Sequence, residues 1–547
     1  MSRPTPAAIA ASVLMAALLA VAWWWPNRPQ LSDLPMPGGR FNSVSFAPFR
    51  AGQSPLAGNF PSAAEVEEDA ALVARRSRAI RTYASIEGPY EVAEIAQRHG
   101  LKVWKGAWLG TDRAGNRREI ARLIEIANRY PDTVERVVVG NEVLLRRDLS
   151  PAELIAAIRE VKAAVRQPVT YADVWEFWEQ FPEVAKEVDI VTIHILPYWE
   201  DRPTSVARSM AHVKEVYRRI RALFPDKPIA IGEAGWPSRG RWRADAAPSR
   251  VNQARFVREF AALAQAEGFD WNLIEAFDQV WKAENEGTVG ANWGLWTADR
   301  AEKFPLTGPV VEDPVWPWRA GAAVLLGTLL TLAWIGRVPR AGQAGIAALG
   351  FALGGALVFA WSGTWGLVND WHQTAAAVVN LVGQALLAWL LLGRAAQCLS
   401  GVSRAPAPTG AATTALVRDW LCLRPADPRA GLADHVFFLF LWTAAVLQVL
   451  LVADPRYRDF PIATFAVPLV AVAARALLRD LSRGDGGREE VVVGLVLVLG
   501  AVASAVREGP LNQQSLVWNA AALVLALPPL LRWLGGRRAA TAAARPV

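Results

Sequence analysis

From residue 317 to residue 534 the chain is a succession of long Ala, Leu, Val and Trp runs, whereas residues 40 to 312 mix apolar and charged residues throughout. Uninterrupted apolar runs of about 20 residues match the thickness of a bilayer, so the second half is expected in lipid. The 52% hydrophobic content of the 547 residues is thus an average over two unlike regions. Seven candidate spans fall near 317–335, 344–362, 374–393, 435–453, 460–478, 491–507 and 515–533. An eighth precedes the mixed region: Pro6 to Trp25 is apolar, long enough to cross, and ends in a WWW triplet at aromatic-belt position. A cleaved signal peptide is the rival reading of this segment, but WWWPN lacks the small-x-small cleavage pattern, so residues 1–30 are expected to be a transmembrane anchor.

Arginine placement orients these spans, because cytoplasmic loops are enriched in Lys and Arg. With the N-terminus inside, the inner segments carry Arg337 and Arg340, then Arg394, Arg404, Arg418, Arg424 and Arg429, then Arg479, Arg483 and Arg488, then Arg537, Arg538 and Arg545. The outer loops hold only Arg456, Arg458 and Arg507. The pattern predicts eight spans with both termini in the cytoplasm and the mixed region exported. It also accounts for the net charge of +7 without a nucleic-acid partner. Asp370, His372, Asp434 and His435 fall in a short outer loop or at a span end, where interfacial solvation is expected. Cys398 and Cys422 lie outside the mixed region, which therefore has no disulfide or cysteine metal site.

Residues 40–312 alternate β-rich runs with helix-like segments. The runs are 43–49, 79–85, 101–110, 135–143, 167–174, 188–198, 227–236 and 271–281. Between them lie segments with apolar residues at helical spacing, such as REIARLIEIANRY and PAELIAAIREVKAAV. Ser150, Pro151 and Glu153 form a helix start, with Ser as N-cap, Pro first and Glu third. Eight strand–helix units predict a (β/α)8 TIM barrel catalytic domain joined to an all-α multispan transmembrane domain at 317–547. An open doubly wound sheet is the alternative, but no Gly-rich phosphate loop follows the first strand.

In a barrel, reactive residues sit at the C-terminal strand ends. Glu142 ends the fourth strand and Glu233 the seventh. A salt bridge would explain either carboxylate alone; the pair, at ends that face each other across the mouth, is the equipment of glycoside hydrolysis. One carboxyl protonates the leaving oxygen and the other attacks the anomeric carbon. Asn141, beside the first, is placed to hydrogen-bond a sugar hydroxyl.

The segments VVVGNEVL and IAIGEAGWPS that carry these residues resemble the two signatures of glycoside hydrolase family 17, the β-1,3-glucanases and glucanosyltransferases of plants, fungi and bacteria. The resemblance extends through IRTYAS, VTYADVW, HILPYWE, IEAFDQVWK and NWGLW, and covers about half of the chain. It implies a retaining mechanism, with Glu142 as general acid/base and Glu233 as nucleophile, and substrate contacts at Asn141, Tyr198, Trp236, Phe277, Trp281 and Lys282. Many plant relatives place a Glu where this chain has Val289, Gly290 and Ala291. Barrel and spans together are similar to bacterial inner-membrane members linked to the making of β-(1,3),(1,6)-glucans. That likeness implies a multi-pass inner-membrane protein with a periplasmic catalytic domain, whose partners are β-glucan, the lipid bilayer and a separate glucan synthase.

Tryptophans 104, 108, 175, 178, 199, 236, 242, 281, 293 and 296 cluster at predicted strand ends and in the loops after them, where flat faces stack on sugar rings. Trp236, Trp281 and Tyr198 are the ones expected to face ligand, with Tyr198 in reach of Glu233. His194, in mid-strand, is expected to be a satisfied core residue or to support the site rather than to bind metal, and no metal or cofactor is implied. Hydrolysis and transfer share the glycosyl-enzyme and differ in the acceptor, so the carboxylates alone do not separate them. An outward-facing, membrane-anchored barrel favours remodelling of a glucan. The alternative is a non-catalytic glucan-binding or translocating membrane protein.

Overall fold

The computed structural model describes residues 3–30, 39–366, 368, 370–402, 407–424, 431–481 and 485–543. Arg404, Arg429, Arg483 and Arg545, counted above among the inner segments, lie outside the described residues. The chain divides into two compact units, Pro29–Glu312 and Met1–Arg28 with Asp313–Val547. One helix, α1 (Pro6–Trp24), precedes the first of these units in the chain.

Pro29–Glu312 is built on eight parallel strands: β1 (Phe41–Ser45), β2 (Ser77–Arg81), β3 (Lys102–Ala107), β4 (Val134–Asn141), β5 (Val169–Val174), β6 (Ile190–His194), β7 (Ile229–Ala234) and β8 (Asp270–Leu273). They close in sequence order, with Val44 of β1 opposite Leu273 of β8. Around them run α2 (Ala63–Ala74), α3 (Val92–Arg98), α4 (Arg113–Arg129), α5 (Pro151–Ala164), α6 (Trp175–Gln180), α7 (Val206–Leu223), α8 (Arg250–Glu267) and α9 (Ala283–Gly290). The expected (β/α)8 barrel is therefore the fold.

Helix α5 shows why the outer layer forms. Ser150 Oγ accepts from Glu153 N at 3.3 Å and Glu153 Oε2 accepts from Ser150 N at 2.8 Å, a reciprocal cap that starts the helix. Leu154, Ala157, Ile158 and Val161 then fall on one face and are buried against the sheet. Burial of each large aliphatic side chain contributes about 1.5–3 kcal/mol. Inside the barrel, Ala79, Ala172 and Ala230 are small enough to leave room for the buried Trp104, over which the Arg136 guanidinium lies 4.0 Å from the ring centre.

The β-rich runs of the sequence extend past several strand ends. Of the run 271–281 only the first three residues belong to β8 (Asp270–Leu273), after which Ala276 N donates to Ser45 O, and Leu295 N and Trp296 N donate to Glu275 O and Ala276 O. The backbone exchanges the sheet ladder for the loop that returns over the mouth.

The other unit is helical: α1, α10 (Trp316–Ile335), α11 (Gln343–Trp365), α12 (Trp371–Leu399), α13 (Gly410–Leu421), α14 (Leu432–Ala453), α15 (Ala466–Leu477), α16 (Arg488–Glu508) and α17 (Gln513–Ala543). Among the described residues, seven of these are long and apolar enough to cross a membrane; the run expected at 460–478 forms only a shorter helix, Ala463–Leu477. Thr5 N donates to Gln343 Oε1 at 2.9 Å, so α1 and α11 begin side by side. Asp313 N donates to Asn27 Oδ1 at 3.0 Å, so the end of α1 adjoins the start of α10. Bare backbone allows α10 and α11 to close up: a Cβ on Gly354 would lie 2.4 Å from Gly327 N.

The interfacial solvation expected for Asp434 and His435 is not found. Both are buried. Asp434 is bridged by Arg394 at 2.5 Å and by Arg475 at 2.5 Å, Arg394 also reaches Asp480 at 2.7 Å, and His435 Nδ1 lies 2.9 Å from Thr413 Oγ1. These acids are close in space to arginines that are 40 or more positions away in sequence, which spacing along one span does not reveal.

Candidate active site

At the end of β4 the chain turns sharply. Gly140 has φ +88°, and Glu142 itself adopts φ +53°, the left-handed region that costs a non-glycine residue about 1–3 kcal/mol. Glu142 N donates to Ala172 O at 2.8 Å and Glu142 O accepts from Arg146 N at 2.9 Å, which holds the turn and sends the side chain into the mouth. At β7 the determinant is Gly232. A Cβ there would lie 2.6 Å from Thr192 Cγ2 and 3.1 Å from the His194 ring, so only bare backbone lets His194 stand beside Glu233.

His194 is fully buried and joins the two carboxylates. Its Nδ1 is 2.8 Å from Glu142 Oε1 and its Nε2 is 3.7 Å from Glu233 Oε1. One oxygen each from Glu142 and Glu233 and one nitrogen of His194 all lie within 4.8 Å of one another. Arg81, 1% exposed, is the hub: Nη1 donates to Glu233 Oε1 at 3.1 Å and to Gly232 O at 2.7 Å, and Nη2 donates to Asn141 Oδ1 at 2.5 Å. The Tyr83 hydroxyl lies 2.9 Å from Glu233 Oε1, with the Arg81 guanidinium 4.8 Å from its ring centre. Although Glu142, His194 and Glu233 are a donor set able to hold a metal ion, Arg81 already supplies a fixed positive charge at Glu233 Oε1.

The electrostatics follow from this crowding. Burial works to raise the Glu142 carboxyl, but the hydrogen bond and charge of His194, with Arg146 and Arg81, outweigh it and hold the group below its ordinary range. Burial pushes Asp173 up to about 6. Glu275, wholly buried, is pushed up to about 7 by burial against the pull of Lys282, whose Nζ sits 3.0 and 3.1 Å from its two oxygens. Burial works to lower Lys282, and the charges of Glu275 and Glu286 outweigh it. Glu286 is also raised, by burial, and the charges of Glu142 and Glu233 act on it in the same sense. The Glu286 carboxyl of α9 thus feels the charge of the site, although Val289, Gly290 and Ala291 carry no carboxylate.

Glu142, Glu233 and Asn141 come together at the mouth. Lys282 stands beside them through Glu275, and Trp281, half-buried, donates from Nε1 to Gln279 Oε1 at 2.8 Å and packs edge-on to Phe49. Three other expected substrate residues are enclosed. The Tyr198 hydroxyl donates to Arg241 O at 2.6 Å instead of reaching Glu233. Trp236 is 0% exposed, with Nε1 donating to Ala247 O at 3.0 Å. Phe277 is likewise sealed, between Phe46, Trp296 and the Arg300 guanidinium. Trp104 and Trp178 are core residues too. Arg241 and Ala247, in the chain after β7, supply the oxygens that hold Tyr198 and Trp236 in place. Arg81, Tyr83 and Glu275 were not singled out from the sequence, yet the first two sit in IRTYAS at the end of β2 and the third in IEAFDQVWK, segments marked for their resemblance.

Two carboxylates at the β4 and β7 ends of a (β/α)8 barrel, set around a buried Arg–His pair, define a glycosidase-type site. Residues 43–294 match the BtgE/BtgC glycoside hydrolase domain. The glucan 1,3-beta-glucosidase of Candida albicans is 25% identical over 263 residues, covering 44% of this chain and 85% of that protein. The glucan 1,3-beta-glucosidase of Schizosaccharomyces pombe is 28% identical over 256 residues, covering 44% of this chain and 79% of that one. The crystal structure of the family 17 β-1,3-glucanosyltransferase from Rhizomucor miehei is 23% identical with a TM-score of 0.44, covering 49% of this chain and 98% of that one. Residues 43–294 of this chain thus form a glycoside hydrolase domain, a glycosidase or transglycosylase domain similar to those of family 17.

Proposed function

We propose that the barrel cleaves β-1,3-glucan with retention and passes the released glycosyl unit to a sugar hydroxyl, remodelling the glucan instead of degrading it. The observation that carries this reading is the approach of Glu142 and Glu233, with one oxygen of each within 4.8 Å of the other, because an inverting pair stands ~6.5–9.5 Å apart to admit a water and a retaining pair ~5–5.5 Å. Glu233, with Oε1 held by Arg81 and Tyr83, attacks the anomeric carbon through its other oxygen. Glu142 gives its proton to the departing glycosidic oxygen, then draws a proton from the acceptor that resolves the glycosyl-enzyme. With Asn141 Oδ1 taken by Arg81, the Asn141 amide nitrogen is the atom for a sugar hydroxyl. A 6-hydroxyl acceptor would yield a β-1,6 linkage. The test is linkage analysis of the products formed from laminari-oligosaccharides by the full-length protein in detergent. Products no longer than the substrate would remove the transfer reading, and an α-configured first product would remove retention.

In the same reading the chain is a multi-pass protein of a bacterial inner membrane, with residues 1–30 as anchor, 40–312 as the periplasmic enzyme and 317–547 as the span-bearing domain that meets a separate glucan synthase. The neighbouring ends of α1 and α10 support a barrel inserted on one side of the bilayer. Eight crossings require Ala463–Leu477 to complete one of them. At 1.5 Å per residue its length is about 22 Å, short of the ~30 Å core. Its start is tied to the middle of α12, where Gln384 Oε1 accepts from Val467 N at 3.0 Å, and its end reaches Asp434 through Arg475. The remaining distance falls to the non-helical chain before it, which such a neighbour makes tolerable in lipid. Reporter fusions after residue 510 should then read as periplasmic, and a cytoplasmic signal there would make this helix re-entrant and change the count.

A further inference from the structure

Three neighbouring strands, β2, β3 and β4, each end in a loop that exposes one large apolar side chain: Ile86 at 49%, Trp108 at 43% and Leu145 at 41%. Exposed apolar groups on loops are ordinarily unconstrained, but the backbones that carry these are fixed. The buried carboxylate of Glu119, from α4, accepts from Ser85 N at 2.7 Å, Ile86 N at 3.0 Å and Trp108 N at 3.1 Å, tying the first two loops to one anchor. Leu145 N is 3.4 Å from Asp173 Oδ2. Arg146, four residues after Glu142, lies over Trp108 at 4.2 Å from the ring centre and donates to Leu109 O at 2.7 Å and to the backbone oxygen of Asn141. One guanidinium therefore separates the Trp108 ring from the backbone that presents the acid/base.

We propose that Trp108, flanked by Ile86 and Leu145, is a platform for a glucosyl ring of the glucan chain, beyond the ring whose bond is cleaved. The reasoning is chemical. The C–H face of a β-glucosyl ring is flat and apolar and matches an aromatic face, and a platform whose backbone is already fixed spends no binding energy on ordering loops. Continuity with Glu142 through Arg146 selects the glucan as the occupant. This subsite rests on the β-glucan reading above.

The test is the chain-length dependence of kcat/KM for laminaribiose to laminarihexaose, measured with the full-length protein in detergent. Wild type should gain activity at the length at which a ring reaches Trp108. Trp108→Ala should lose about 5- to 10-fold at that length and beyond, flattening the profile. Trp108→Phe should keep most of the gain, and Ile86→Ala should lose less than Trp108→Ala. Leu223→Ala, an exposed apolar residue at the end of α7, is the control that should change nothing. Thermal melts show whether each variant is folded, and if Trp108→Ala is not, the Phe and Ile86 variants carry the comparison. A profile that keeps its full length dependence in folded Trp108→Ala or, where that variant does not fold, in folded Ile86→Ala would overturn the platform while leaving the β-glucan assignment intact. Wild type inactive on every member of the series would overturn that assignment instead.

Discussion

Both units bury clusters of Arg with carboxylates, and the clusters are built differently. In the barrel, Arg81 binds Glu233 and Asn141 while Glu142 keeps 23% of its side chain exposed at the mouth. In the helical unit, Arg394 and Arg475 are matched against Asp434 and Asp480, two charges of each sign, and no side chain of the four exceeds 12% exposure. A cluster with an acid open to solvent and held in a left-handed turn is equipped to react. A closed one, whose two acids are paired with arginines, ties α12, α14 and α15 together. Burial of charge alone does not mark a reactive site; an exit for one of the charges does.

The difference is broken most directly at the open cluster. In the proposed retaining mechanism Glu233 alone forms the covalent intermediate, so Glu233→Gln should abolish turnover of every substrate. Glu142→Gln should lose about 10²–10⁴-fold on natural glycosides yet spare aryl glycosides whose leaving group needs no proton, and azide should then yield a β-glycosyl azide. Equal loss on both substrate types in Glu142→Gln, with no azide product, would remove the acid/base assignment.

At the closed cluster the effect should appear in stability. Asp434→Ala leaves Arg394 and Arg475 partly unpaired in a buried setting, at about 3–5 kcal/mol, and should lower the melting temperature of the protein in detergent and its yield. Asp434→Ala combined with Arg475→Leu should recover part of that loss. In neither variant should kcat of the folded fraction on an aryl glycoside change. A change in kcat without a change in melting would mean that this cluster, too, serves the reaction.

The sequence made the two units legible to different degrees, for a physical reason. Alternation of strand and helix patterns, with Glu142 and Glu233 at matching strand ends, is local information, and it led to the barrel and its carboxylates. Tyr198, Trp236 and Phe277 misled because an aromatic ring after a strand is equally suited to stacking on sugar and to plugging the space between strand and helix. Whether a loop returns over it is decided by residues as distant as Arg241 and Ala247. Asp434 was misread for the same cause: its partners are on other helices. The reach of His194 to both carboxylates depends on Gly232 across the strand pair, which no periodicity reports.

The smallest expected effect is the most specific to the open cluster. Glu142 must be protonated to act as an acid, so kcat/KM should fall as pH rises through its pKa. In the free protein that pKa is held low by His194, Arg146 and Arg81 against burial, with Asp173, Glu233 and Glu286 as the carboxylates facing the same space. His194→Asn keeps a hydrogen-bond donor but removes the charge, which leaves burial and the neighbouring carboxylates to raise Glu142. The alkaline limb of kcat/KM should therefore move to higher pH. Glu142 acts without need of its proton on aryl glycosides with good leaving groups, so their limb should move less. A merely structural His194 would lower activity at every pH and leave the limb where it is. A limb displaced to lower pH would mean that His194 Nδ1 accepts the hydrogen bond of the protonated Glu142 carboxyl and so favours the acid form.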